Sequence, residues 1–468
     1  MPTPKLTTWQ LIAGSTALGL VIATGAVALA GPWDSGQRKA ERDRAASRAP
    51  GGGAHHQAPA RVKAPAPAPS APGVLAVLGA PGNVPAGKSL SAVLDPLLSD
   101  PALGSVRTAA VIDTATGRQL YGSGADRPMT PASTVKLATT TAALSALGPD
   151  HRIATTVRAS ADGKHLTLVG GGDPTLSKDR LRALADDTVR VLRDRGVTSV
   201  SLSYDISLYS GPQIHPIGIN DNIAPVVALM TDEGRVDGSD HGPAPRTGDP
   251  AGDTARTFAG MLKDRGVTAD TDSAPAGAPA GSTPIARTNS DPLSALVERA
   301  LTNSDNDLAE ALARQTALAA GEPASFEGAG RAVKAELAKL QLPVEDAQFA
   351  DGSGLDRNDR VTASLLARVL ARAADPASPR LRPVLTGLPI AGFSGTLADR
   401  YTGSASGTGL VRAKTGTLTG VNTLAGTVVA ADGRLLSFAF LASDTASPYT
   451  AQPALDRLAT ALATRKLS

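Results

Sequence analysis

Three short stretches, far apart in the 468-residue chain, carry side chains suited to acyl transfer. The first is Ser133-Thr134-Val135-Lys136, whose ends are three residues apart and so share one face of a helix. A serine hydroxyl is a weak nucleophile until a base takes its proton. A lysine within hydrogen-bond reach does this when neutral, and burial or a second cation favours that state. The second stretch is Ser304-Asp305-Asn306 and the third Lys414-Thr415-Gly416. Each has a bland reading by itself: a chance pair on a helix, a helix cap, an exposed strand end. Their order and company favour a common site.

In that site Ser133 is the nucleophile and Lys136 its general base. Ser304 relays the proton to a leaving amine, and the Asn306 amide holds both Lys136 and the substrate's peptide group. Lys414 keeps the site positive, which attracts a carboxylate and helps hold Lys136 neutral. Thr415 and Thr417 offer hydroxyls to that carboxylate, while Gly416 lets substrate backbone lie against the strand. The backbone N–H groups of Ser133 and Thr417 are the expected oxyanion donors, worth about 3–4 kcal/mol each in the transition state.

The elements that must position these groups are legible around them. A Gly-, Asp- and Pro-rich turn precedes Ser133, and Leu137 to Leu147 reads as a helix apolar nearly all round, the sign of a central helix. Arg107–Thr114 and Arg118–Tyr121 read as paired strands. His151–Thr167 alternates like strands, Asp179–Arg195 is an amphipathic helix and Thr198–Asp205 a strand, together a small α/β insert. Thr254–Arg265 is helical, and 272–283 is a connection. Helices follow over Pro292–Leu301, Leu308–Ala320 (stopped by Gly321), Gly330–Lys339 and from Thr362. Gly409–Thr417, Asn422–Ala430 and Arg434–Ala442 read as an antiparallel meander, and Pro453–Arg465 as a helix across the sheet.

Composition narrows the function classes. The chain has no cysteine, which excludes disulfides, thiol catalysis and zinc–thiolate sites. Its net charge of +3 is unevenly placed: residues 1–73 carry eight Lys/Arg against three Asp/Glu, and the rest is close to neutral. A nucleic-acid binder needs its basic residues clustered on the folded part, so none is expected as a partner. The six histidines show no metal-ligand spacing, and no metal or cofactor is expected. Leu11–Ala30 is an apolar run long enough to span a bilayer, with Ala28-Leu29-Ala30 as a cleavage pattern. Residues 1–30 therefore read as a signal peptide or a membrane anchor, either of which puts the enzyme outside the cytoplasm. Residues 31–73, with the Ala-Pro alternation of 64–69, read as an extended linker.

Further segments make the pattern specific: Gly170-Gly171-Gly172-Asp173-Pro174, Ala224-Pro225-Val226-Val227, Asp351-Gly352-Ser353-Gly354-Leu355 with Arg357-Asn358, and Ala413 to Val421. With the three motifs they resemble the low-molecular-mass class C penicillin-binding proteins, serine DD-peptidases acting as D-alanyl-D-alanine carboxypeptidases and endopeptidases. The resemblance covers about Val74 to the C-terminus. It implies an α+β fold, a penicillin-binding protein/β-lactamase-like domain with a five-stranded antiparallel sheet between helices. That domain takes residues 74–150 and 285–468, with one insert at 151–284. It also implies peptidoglycan stem peptides and β-lactam antibiotics as partners. By the same resemblance Arg357 and Leu418 line a pocket for a peptide side chain bearing a free amine. Asp221 is the candidate partner of that amine, although Ile217-Gly218-Ile219-Asn220 replaces the tryptophan-rich stretch usual before that aspartate. Two other readings are a β-lactamase and a non-catalytic wall-binding protein on the same fold. The first lacks a Glu-x-x-Leu-Asn segment for rapid deacylation, and the second leaves a complete set of catalytic side chains unused.

Overall fold

The computed structural model describes residues 89–271, 274–401 and 406–464. The expected signal or anchor, the linker and the segment up to residue 88 lie outside the described residues. Among the described residues no helix is long and apolar enough to cross a membrane.

Two five-stranded sheets organise the chain. The first is antiparallel, in the order β2-β1-β10-β9-β8, from β1 (Val106–Asp113), β2 (Gln119–Ser123), β8 (Val411–Leu418), β9 (Val421–Val429) and β10 (Leu435–Ser443). The expected meander is its C-terminal part. β8 is an edge strand, with Lys414 opposite Ala425 and Thr417 opposite Asn422 of β9. Alternation of side chains across the sheet serves two cores. Ala110, Ile112, Ala439 and Leu441 face one, and Ala109, Val111, Phe438 and Phe440 the other.

On the first face lie the helices that carry the chemistry. α2 (Lys136–Leu147) is buried from Lys136 to Leu144, as its all-round apolar sequence demands. Around it stand α5 (Leu293–Thr302), α6 (Asn306–Ala320), α7 (Phe326–Lys339), α8 (Ala363–Ala374) and the short α9 (Arg382–Thr386). Gly321 ends α6 in the left-handed conformation at φ 72°, and Thr362 caps α8 by accepting from Leu365 N at 2.9 Å. The second face is covered by α1 (Leu90–Leu98) and α10 (Pro448–Ala463).

The second sheet is mixed, in the order β6-β5-β4-β3-β7, from β3 (Ala154–Ala159), β4 (His165–Val169), β5 (Ser199–Asp205), β6 (Thr268–Thr271) and β7 (Thr283–Asn289). β4, β5 and β6 run parallel, with α3 (Lys178–Asp194) as the crossover between β4 and β5 and α4 (Pro250–Lys263) between β5 and β6. Its core, Val157, Leu166, Leu181, Leu202 and Phe258 among others, is separate from the other two. β7 pairs with β3 up to Asn289, so this sheet continues past residue 284, the expected end of the insert. The stretch 272–283 also ends in a strand and is less of a plain connection than its composition suggests.

Candidate active site

Ser133 lies in a tight helical turn, Ala132–Val135, that runs directly into α2, so the pair straddles the junction. Lys136 Nζ is 3.0 Å from Ser133 Oγ. The same nitrogen is 2.6 Å from Asn306 Oδ1 and 2.6 Å from the Ser353 carbonyl. The last two oxygens accept and cannot donate. A neutral Lys136 must spend its two N–H groups on them, which turns its lone pair toward the one partner that can donate, Ser133 Oγ–H. This is the arrangement of a nucleophile and its general base.

Electrostatics favour the neutral amine. Burial lowers the Lys136 pKa to about 8, against the pull of Asp351, Asp305, Glu310 and Asp359. Lys414, also fully buried, is held well below the ordinary lysine value by burial and then by the charge of Lys136. Desolvation is what lowers Lys136, and the like-charge effect falls on Lys414. Nor does Ser133 sit hydrogen-bonded between two amines: the bond of Lys414 Nζ goes to the Thr415 carbonyl at 2.8 Å.

The second motif answers both of its sequence readings. Asp305 is indeed a cap, its carboxylate accepting from Leu308 N at 3.0 Å. That cap fixes its neighbours: Ser304 is held at φ 58°, a conformation side-chain-bearing residues seldom adopt, and Asn306 opens α6. Asn306 also donates through Nδ2 to Asn222 O at 3.0 Å.

Ser133, Ser304, Asn306, Thr415 and Thr417 border one cleft of about 730 Å³. Thr415 Oγ1 is 2.8 Å from Thr396 Oγ1, and Thr417 Oγ1 accepts from Gln452 Nε2 of α10 at 3.3 Å. Gly416 has no room for a side chain, since a Cβ there would lie 2.1 Å from Thr423 Oγ1 and 2.7 Å from Pro131 O. Its smallness thus serves the close packing of β8 on the serine turn as well as any substrate backbone.

Arg357 and Leu418 border a smaller cavity of about 390 Å³, together with Ile217, Asn220, Asn222 and Asp356. Asp221 is not brought there. It is exposed on the turn between Asn220 and Ile223, and only its two asparagine neighbours reach the cavity wall. Tight-turn geometry at Asn220–Ile223 leaves its carboxylate in solvent. The acidic side chain at the cavity is Asp356, which the sequence reading passed over.

Several supports were also missed. Asn222, Thr396 and Gln452 brace the motif residues from distant parts of the chain. Arg235 and Arg246 line the cleft while paired with Glu233 and Asp307, at 2.8 and 3.1 Å. The Asp351–Leu355 segment, singled out as a tight loop, supplies the carbonyl that Lys136 holds. Polar residues next to Gly in such a loop were the available signal.

Known relatives match this chain along most of its length. The sequence pattern of the D-Ala-D-Ala carboxypeptidase 3 (S13) family matches residues 90–241 and 236–462. Carboxypeptidase DacB of Mycolicibacterium smegmatis is 39% identical over 421 residues, covering 85% of this chain and 89% of its relative. The D-alanyl-D-alanine carboxypeptidase of an Actinomadura species is 30% identical over 433 residues, covering 73% and 79%. Among solved structures, penicillin binding protein 4 of Haemophilus influenzae superposes with a TM-score of 0.66 at 22% identity, over 79% of this chain and 97% of that one. That likeness extends the resemblance to the fold. The chain belongs to the D-Ala-D-Ala carboxypeptidase 3 (S13) family of peptidases.

Proposed function

We propose that this chain removes or cleaves next to the terminal D-alanine of peptidoglycan stem peptides through an acyl-enzyme on Ser133. The observation that carries the reading is the Lys136 amine, with two acceptor-only partners and one hydroxyl at 3.0 Å. Lys136 takes the Ser133 proton as Oγ bonds to the carbonyl carbon of the penultimate residue. Backbone N–H groups of Ser133 and Thr417 receive the oxyanion. As the C–N bond breaks, the proton passes through Ser304 to the departing amine of D-alanine. Water, deprotonated by the same lysine, then hydrolyses the ester. Thr415 and Thr417 bind the substrate's carboxylate, with Lys414 buried behind them. Penicillin enters the same path and halts at the acyl-enzyme.

Arg357, Leu418 and Asp356 fit the side chain of the donor peptide in the 390 Å³ cavity, with a cation and a carboxylate for its polar end. The second sheet, with its own core, supports reading residues from 151 to near 289 as a single inserted domain. Cell-wall peptidases of this family act outside the cytoplasm. We assign delivery there to the apolar run of residues 11–30, as a cleaved signal or a retained anchor.

Release of D-alanine from a synthetic pentapeptide tests the assignment. Ser133→Ala is expected to abolish release while leaving the thermal midpoint near wild type, and unchanged release would refute it.

A further inference from the structure

The Lys136 carbonyl partner, Ser353 O, belongs to a loop folded around its own first residue, Asp351. Asp351 sits beneath it, fully buried, and gathers the loop's donors: Ser353 N at 3.1 Å and Gly354 N at 2.6 Å on Oδ1, Ser353 Oγ at 2.9 Å and Asp356 N at 2.8 Å on Oδ2. Glu310 of α6 accepts from Gly352 N and Ser353 N at 3.0 and 2.9 Å. Two further side chains reach Asp351: the buried Asp359 carboxyl, whose pKa burial and the Asp351 charge hold well above the ordinary value, and one from 136 positions earlier in the chain. His215 Nε2 lies 2.9 Å from Asp351 Oδ2, with both side chains shut off from solvent. Ile217 N donates to His215 Nδ1 at 3.3 Å, which leaves the ring proton on Nε2, facing the carboxylate. The ring packs edge-on to Phe326 of α7 at 5.4 Å, and the Arg314 guanidinium covers the other side of that phenyl at 4.1 Å.

We propose that His215 is a positioning residue for the general base, acting through Asp351 and the Ser353 carbonyl on Lys136. The segment carrying it, which joins β5 to α4, thereby contributes to the peptidase machinery without touching substrate. The proposal rests on the acyl-enzyme reading above.

Four observations favour a tuned support over plain packing. A buried carboxylate already satisfied by backbone donors needs no histidine for stability alone. The histidine holds one defined tautomer through Ile217. Its effect converges on the one loop carbonyl that Lys136 grips. Finally, the charged groups facing the ring are Asp351, Glu310 and Asp356, all acting on the same loop or on Lys136. Without the Nε2–H donor the loop keeps its own bonds, but Asp351 loses the group that fixes its Oδ2 side, and the Ser353 carbonyl is less firmly aligned. Lys136 then loses an aligned acceptor, whose bond is stronger to the charged amine, so it gives up its proton at lower pH and faces Ser133 less well.

The test is the rate of acylation by a fluorescent penicillin from about pH 6 to about pH 10, with the whole soluble chain. His215→Leu is expected to slow acylation at least about tenfold and to move the midpoint of the pH profile below that of wild type. His215→Gln, whose side-chain amide reaches as far as Nε2, is expected to restore both. If the leucine variant does not fold, His215→Asn, whose amide falls short of Asp351, takes its place. Slower acylation with an unmoved midpoint, or failure of glutamine to rescue, would overturn the proposal by reducing His215 to packing. So would a wild-type rate in the leucine variant. Ser133→Ala, run alongside, separates the two claims: an adduct persisting there would defeat the acyl-enzyme reading whatever His215 does.

Discussion

The pH dependence of acylation is where the structure commits itself most sharply. Burial brings the Lys136 pKa to about 8. At pH 7 about one molecule in ten then carries the neutral amine, against about one in three thousand for a lysine at its ordinary pKa of 10.5. The net shift, desolvation less the pull of the carboxylates, is thus worth about a three-hundredfold gain in competent base, or about 3 kcal/mol. The sign follows directly, since the base works deprotonated: acylation should rise about tenfold per pH step below 8 and level off above it. Stopped-flow acylation by a chromogenic β-lactam, under conditions where the second-order constant is read, measures this in the free enzyme. Replacing Asp351 by asparagine removes the first-named group that holds the proton on Lys136, so Asp351→Asn should move the midpoint downward. A rate that is flat from about pH 6 to about pH 9, or one that falls as the pH rises through 8, would refute the assignment of Lys136 as base.

Gly354 gives a steric prediction. At φ 86° its Cβ would lie 2.1 Å from Ala132 O and 3.0 Å from Ser133 N, so Gly354→Ala should cost about 2–4 kcal/mol in chemical denaturation and slow acylation more than about tenfold. Arg299 lies between two buried carboxylates, hydrogen-bonded to Glu233 and 3.4 Å from Asp305. Arg299→Met leaves Asp305 without its guanidinium, beside a Glu233 that burial keeps protonated and that retains Arg235, and calorimetry should show a loss of about 3–5 kcal/mol at neutral pH that shrinks as acid protonates Asp305. Arg357→Ala, half of the charged wall of the smaller cavity, should raise KM for pentapeptides with a charged third residue while leaving penicillin acylation within about threefold.

The parts of this molecule that local rules govern could be read from the chain. Ser133 and Lys136 are three residues apart, and one turn of helix is enough to join them. The β9–β10 hairpin announced itself through Ala431-Asp432-Gly433, where Gly433 takes φ 83°. The all-round apolar α2 had to be central. Helix starts were read four or five residues late at α4, α7 and α10, although Asp249-Pro250 and Ser447-Pro448 carry a cap followed by proline in the first turn. Short β6 (Thr268–Thr271), with only alternating half-exposed residues, offered too few apolar positions to declare itself. The support of the site lay beyond reading altogether. His215 meets Asp351, and Gln452 meets Thr417, only because the tertiary fold closes those loops. Asp221 shows the converse: a residue chosen by position in a pattern, one place out of register with the cavity it was meant to serve.

The central claim is that one hydroxyl, facing one buried amine, is the point of covalent attachment. Mass mapping of the penicillin-treated protein tests it directly. The account predicts a single antibiotic equivalent on the peptide containing Ser133, absent after Ser133→Ala and strongly slowed by Lys136→Met. Attachment at any other residue, or an undiminished adduct in either variant, would contradict it.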